Sequence, residues 1–235
     1  MRTFFLYWLL SALLGNPIIA LIVLFLIYLM IDRRFIGLLP DFTRPFRQSS
    51  RLRRLRTEVE LNPANAGALL ELGMLLFDKG RYQEALPFLE KAGKKLDDHA
   101  TAQFYLGAVY VRLGRLAEGR QILEKAVALR PNVQYGEPYI YLAEAALHSQ
   151  GKEDLATITD ASLQEKLEEW IEAVSRYGNV EILYRMGRVL LEAGKRDEAG
   201  RLFNEAMASY RQAPAFSKRT SRRWALRTWW TLKQM

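Results

Sequence analysis

Apolar positions along this chain follow two rhythms. From residue 3 to residue 31 they run almost unbroken and without a formal charge, whereas from residue 52 onward they recur at spacings of three and four. The second rhythm predicts amphipathic helices, because residues three and four apart share one face of an α-helix. Leu52, Leu55 and Val59, with Leu61 at the edge, form one such stripe running into Asn62-Pro63. Leu163, Leu167, Trp170, Ile171 and Val174 form another. That second stripe is entered through Ser162-Leu163-Gln164-Glu165, a capping box that ties down free N–H groups at a helix start.

Small residues impose a longer period. Gly73, Gly80, Ala85 and Ala92 keep the same offsets as Gly107, Gly114, Gly119 and Ala126, and as Gly187, Gly194, Ala199 and Ala206. Leu72, Leu106 and Met186 precede the first glycine of each set, and the first two sets lie 34 residues apart. Antiparallel helices approach closely only where side chains at the crossing are small, which predicts Gly73 against Ala85 and Gly107 against Gly119. The second glycine, at 80, 114 and 194, predicts a helix stop in the left-handed conformation. Bulky residues between them read as core: Leu69, Leu76, Tyr82 and Leu89, then Tyr110, Leu116 and Leu123, then Leu183, Leu190 and Phe203. The pattern resembles the tetratricopeptide repeat (TPR), in the manner of membrane-anchored bacterial members of that family. Pro63 and Pro131 stand where the family closes one repeat before the next. The resemblance implies an all-α fold: an N-terminal transmembrane helix, then an α-solenoid of antiparallel helix pairs with a C-terminal capping helix.

The expected organisation is an anchor over residues 1–31, a basic linker over 32–46, a capping helix over 47–65, repeats over 66–213 and a basic, tryptophan-rich helix over 214–235. Residues 66–99, 100–133 and 180–213 are regular repeats. Residues 134–179 form a stretched one, since the interval from Gly107 to Gly187 exceeds two periods. Its first helix is expected from Gly136 to His148, with Tyr139, Leu142, Ala143 and Ala146 inward, and its second from about Ser162. The connector over 150–160 is either an exposed loop or an interruption of the groove. In the last helix Ala225, Leu226, Trp229, Trp230 and Leu232 span one face and Arg223, Arg227, Thr228 and Thr231 the other. It either covers the open end of the array or sits at a bilayer interface.

The unbroken run over residues 3–31 is long enough to exceed the roughly 30 Å of hydrocarbon in a bilayer. It ends in Met30-Ile31-Asp32-Arg33-Arg34 without a short core and small-residue cleavage site, so a retained anchor is expected rather than a signal peptide. Asn16-Pro17 leaves three arrangements open: one kinked helix from about Trp8, an interfacial helix before a span from about Leu14, or a re-entrant hairpin. Charge sets the orientation. Nine arginines against two aspartates give residues 1–56 a net +7, residues 214–235 carry +6, and the chain's total of +8 leaves residues 57–213 at −5. Eight of those arginines follow the span, which by the positive-inside rule places the repeats in the cytoplasm, for a single-pass protein of a bacterial cytoplasmic membrane. Basic residues beside a span favour anionic lipid over nucleic acid, and no nucleic acid partner is expected.

Little in the chain points to chemistry. Cysteine is absent, which removes thiolate metal sites and thiol nucleophiles, and His99 and His148 stand apart without ligand spacing. Glu165, Glu168, Glu169 and Glu172 read as a solvated helix face. No enzyme, metal, cofactor or small-molecule substrate is expected. The resemblance places a concave groove on the first helix of each pair, with Leu70, Met74, Phe77 and Asp78, then Phe104, Ala108, Val111 and Arg112, then Ile140, Glu144, Leu147 and His148, then Tyr184, Arg188, Leu191 and Glu192. Of these, Leu70, Met74, Phe77, Phe104, Ala108, Val111, Arg112, Tyr184 and Arg188 are the candidate partner-binding residues. The set lacks the cationic clamp that chaperone-binding members use for a terminal carboxylate. Its apolar front suits a helix or peptide. The expected function is an adaptor or scaffold at the cytoplasmic face of a membrane; the alternative is an assembly factor for a membrane complex.

Overall fold

The computed structural model describes residues 15–31, 44–149 and 160–235. The described elements are helices: α1 (Pro17–Ile31), α2 (Arg44–Leu61), α3 (Ala66–Asp78), α4 (Tyr82–Lys95), α5 (Ala100–Arg112), α6 (Leu116–Leu129), a 3-10 turn (Val133–Gly136), α7 (Glu137–Ser149), α8 (Asp160–Tyr177), α9 (Val180–Glu192), α10 (Arg196–Gln212) and α11 (Ala215–Gln234). Four antiparallel pairs follow, α3–α4, α5–α6, α7–α8 and α9–α10, and each pair packs on the next through one continuous apolar core. The connector expected as a loop or interruption lies over 150–159, outside the described residues.

Each regular pair starts and stops by the same chemistry. Asn65, His99 and Asn179 accept the N–H of the residue three ahead, Ala68 at 3.1 Å, Ala102 at 3.3 Å and Ile182 at 3.1 Å, which satisfies a donor no helical carbonyl can reach. At the other end Gly80, Gly114 and Gly194 take φ of +73°, +80° and +80°, as the glycine pattern predicts. The residue after each donates back across the turn: Arg81 N–H to Leu76 O, Arg115 N–H to Tyr110 O and Lys195 N–H to Leu190 O, all at 2.9 Å.

At the crossings the expected glycine-to-small-residue contact is only part of the arrangement. A methyl at Gly73 would meet Leu89 at 2.5 Å and one at Gly187 would meet Phe203 at 2.6 Å, so the notch holds the large side chain of the partner helix. Gly107 and Gly119 do face each other, with a hypothetical Cβ at 119 lying 2.9 Å from Gly107 O and from Val111 N. The third pair has no such notch. Tyr139, Leu142, Ala143 and Ala146 of α7 and Leu163, Leu167, Trp170 and Val174 of α8 are buried as the periodicity predicts, with Ile171 half-buried. The chain enters α7 through Gln134, Tyr135 and Gly136, all at positive φ (47°, 57° and 78°). Side chains other than glycine rarely hold that conformation, and composition does not predict it here.

Both ends of the array are covered. α2 packs Leu52 and Leu55 on α3, with ion pairs Arg51–Glu71 and, at 3.1 Å, Arg56–Glu84; Leu61 is exposed and falls outside the stripe. α11 packs on α10 and α9, but only part of the expected apolar face turns inward, Ala225 and Leu232, joined by Trp224. Ala225, Thr228 and Thr231 are buried, whereas Leu226, Trp229 and Trp230 are exposed. Small residues permit a closer approach than indoles, and the buried hydroxyls are satisfied within the helix: Thr228 donates to Trp224 O at 2.8 Å and Thr231 to Arg227 O at 3.0 Å.

α1 begins where Gly15, at φ +65°, turns the chain and Asn16 Oδ1 accepts the Ile18 N–H at 2.9 Å, with Pro17 at the first helical position. Ile18, Leu21, Ile22, Phe25 and Leu26 are all exposed. The first 14 residues of the expected anchor and most of the linker lie outside the described residues. Among the described residues no helix is long and apolar enough to cross a membrane.

Candidate protein-binding surface

The first helices of the pairs, α3, α5, α7 and α9, stand side by side, and what they present follows from their rotation. Leu70, Phe104, Ala108, Val111 and Ile140 are buried against neighbouring helices, Phe104 and Ala108 completely. They are core. The expectation that Leu70, Phe104, Ala108 and Val111 line an open groove is therefore corrected: a helix advances about 100° per residue, and these positions face inward. Met74, Phe77, Leu147 and Leu191 are half-buried at the edge, and Asp78, Arg112, His148, Arg188 and Glu192 are exposed. Tyr184 is half-buried, its ring 5.7 Å from that of Trp224 on α11 and 5.8 Å from Phe203.

One step along each helix lies a set the sequence pattern overlooked, which ties the helices together beneath the face: Tyr105 on α5 and Tyr141 on α7, both buried, and Arg185 on α9, half-buried. Each directly follows a residue of the expected groove, and that shared offset is the signal available in the sequence. The Phe77 ring lies 5.4 Å from Tyr105 and 6.3 Å from Tyr141, so α3, α5 and α7 meet in an aromatic cluster. Tyr141 is flanked by cations, with the Arg112 guanidinium 4.7 Å and that of Arg185 5.9 Å from its centroid. Each arginine also pairs with α7, Arg112 with Glu144 at 2.9 Å and Arg185 with Glu137 at 2.5 Å.

Burial pushes the Tyr105 and Tyr141 hydroxyls up from the ordinary tyrosine range; the charges of Asp78 and Glu137 add to this at Tyr105, and Arg112 and Arg185 oppose it at Tyr141. Because the folded values lie above the unfolded one of about 10, the contribution of these protonated hydroxyls is complete below pH about 10 and lost as pH rises through the folded values. Alkaline titration should therefore give an early tyrosinate absorbance from exposed tyrosines and a late phase coincident with loss of helicity. Replacing Tyr105 and Tyr141 by Phe should diminish the late phase alone. A smaller early phase would contradict the assignment.

Tetratricopeptide repeat models match residues 52–98, 76–147 and 181–213, the segments whose start, crossing and stop are described above. The chain carries tetratricopeptide repeats. The matched segments leave out residues 148–180, which hold α8 and the long connector. Among solved structures, MamA superposes with a TM-score of 0.52 at 22% identity, over 75% of this chain and 95% of its own. MamA from Desulfovibrio magneticus RS-1 gives 0.51 at 21%, over 80% and 96%. A thermophilic TPR protein in Thermus thermophilus gives 0.51 at 22%, over 72% and 90%. At this identity the likeness is one of fold. No curated protein matches the chain.

Proposed function

We propose that this TPR chain is a scaffold that holds a protein partner on the face formed by α3, α5, α7 and α9. The observation that carries the reading is the strip left accessible on that face. Met74 and Phe77 supply apolar contact, and the exposed Arg112 and Arg188 lie farther along it. The arginines there already have acidic neighbours, Glu144 and, at 2.6 Å, Glu192, so the strip suits an amphipathic helix or peptide better than a strongly acidic tail. A photoreactive residue at Met74 should yield protein adducts in cells, whereas one at Lys91, exposed on α4, should not. Equal labelling from both positions, or none from Met74, would remove the groove from consideration.

We further propose that residues 1–31 hold the chain in a bilayer, with the basic flank against anionic lipid and the repeats on the cytoplasmic side. The support is the uncharged run, the exposure of apolar side chains on α1 and the eight arginines that follow it. Gly151→Cys should resist an impermeant thiol reagent in intact cells and react after lysis. Reaction before lysis would reverse the orientation, and recovery of the chain in the supernatant after ultracentrifugation would remove the anchor.

A further inference from the structure

The C-terminal helix presents a face that the fold does not use. α11 carries six Lys or Arg and no acidic residue. Its small face, Ala225, Thr228 and Thr231, is consumed in packing on α9 and α10. On the opposite side Leu226 is 58%, Trp229 45% and Trp230 59% exposed. Three exposed cations share the helix with them: the Lys233 ammonium lies 4.0 Å from the Trp229 ring centroid, and the Arg223 and Arg227 guanidiniums lie 5.0 Å and 4.8 Å from that of the half-buried Trp224.

Three large apolar side chains exposed together on one helix face mark an interaction surface rather than scattered surface residues. The composition of the face points to its occupant. Protein interfaces deplete lysine at their centre, whereas here Lys233 lies over a tryptophan. Indole rings settle at the level of lipid headgroups, and long cationic side chains alongside them reach phosphate oxygens while their stems stay among apolar groups. A uniformly positive helix complements anionic headgroups, and the net −5 of residues 57–213 favours an orientation with the body turned away from that surface. We propose that α11 lies on an anionic bilayer, seating Leu226, Trp229 and Trp230 at the interface and holding lipid phosphates with Arg223, Arg227 and Lys233. This contact is separate from residues 1–31 and stands whether or not that segment spans.

The chain has no cysteine, so single probes can be placed cleanly. Full-length protein bearing Leu226→Cys, labelled with an environment-sensitive fluorophore, is combined with vesicles of phosphatidylcholine alone or mixed equally with phosphatidylglycerol. The probe should brighten, and be quenched by nitroxide-bearing lipid, in the anionic vesicles and not in the neutral ones. A probe at Lys94→Cys, exposed on α4, should stay unchanged in both. Adding Lys233→Ala should shift the Leu226 probe toward water roughly fivefold, the effect of one cation near an anionic surface. The inference is overturned if the Leu226 probe stays in water in anionic vesicles. It is equally overturned if the probe brightens without vesicles as protein concentration rises, which would mean that a second copy covers the face. A probe at Phe25→Cys separates the two membrane readings: quenching there alone leaves the anchor and removes this contact, and quenching at Leu226 alone does the reverse.

Discussion

Phe104→Ala should lower the stability of the repeat array by about 3–5 kcal/mol, the usual cost of emptying a fully buried phenylalanine site. The ring is completely enclosed, 4.9 Å from Tyr105 and 5.8 Å from Tyr141, so its loss leaves a cavity among groups that are themselves packed. Phe77→Ala, at a half-buried position, should cost distinctly less and should weaken partner adducts from Met74. Thermal unfolding and crosslinking measured on both variants distinguish the roles. If Phe104→Ala melted at the temperature of the parent, α5 would be rotated from the orientation described here.

Gly119→Leu should prevent the second repeat from forming. A Cβ there would already stand 2.9 Å from two backbone atoms, Gly107 O and Val111 N, which cannot turn aside as a side-chain tip can. Overpacking a tight crossing costs about 1–3 kcal/mol where neighbours can adjust, and more where they are backbone. Even Gly119→Ala should be measurably destabilising in a denaturant titration. Gly73→Leu should follow in the same direction, since a Cβ there would stand 2.5 Å from Leu89, which is completely buried. Unchanged midpoints for Gly119→Ala would mean that α5 and α6 are farther apart than this contact implies.

Regular repeats were legible because glycine records geometry directly: Gly80, Gly114 and Gly194 mark stops, and Gly73, Gly107 and Gly187 mark close approaches. The stripes of α7 and α8 were equally readable, since their buried positions keep helical spacing even without the small-residue signal. What escaped was anything decided by rotation or by residues outside their usual habit. Gln134 and Tyr135 hold a left-handed turn that neither favours. Phe104 and Ile140, and the next residues Tyr105 and Tyr141, are claimed by the core, so of the expected groove Met74, Phe77, Arg112 and Arg188 remain accessible. α11 misled most, since sorting by hydrophobicity places Leu226, Trp229 and Trp230 inside, whereas close helix packing selected Ala225, Thr228 and Thr231.

The position of Tyr141 between two guanidiniums bears on the mechanics of the array. Opening the angle between α5 and α9 must part Arg112 from Glu144 or Arg185 from Glu137, and lift a cation from the same ring. These groups are partly shielded from water, where such contacts are worth more than at an open surface. A partner that bound by changing the angle between these helices would have to break those contacts first, so α7 ties its two neighbours together through one ring and two ion pairs.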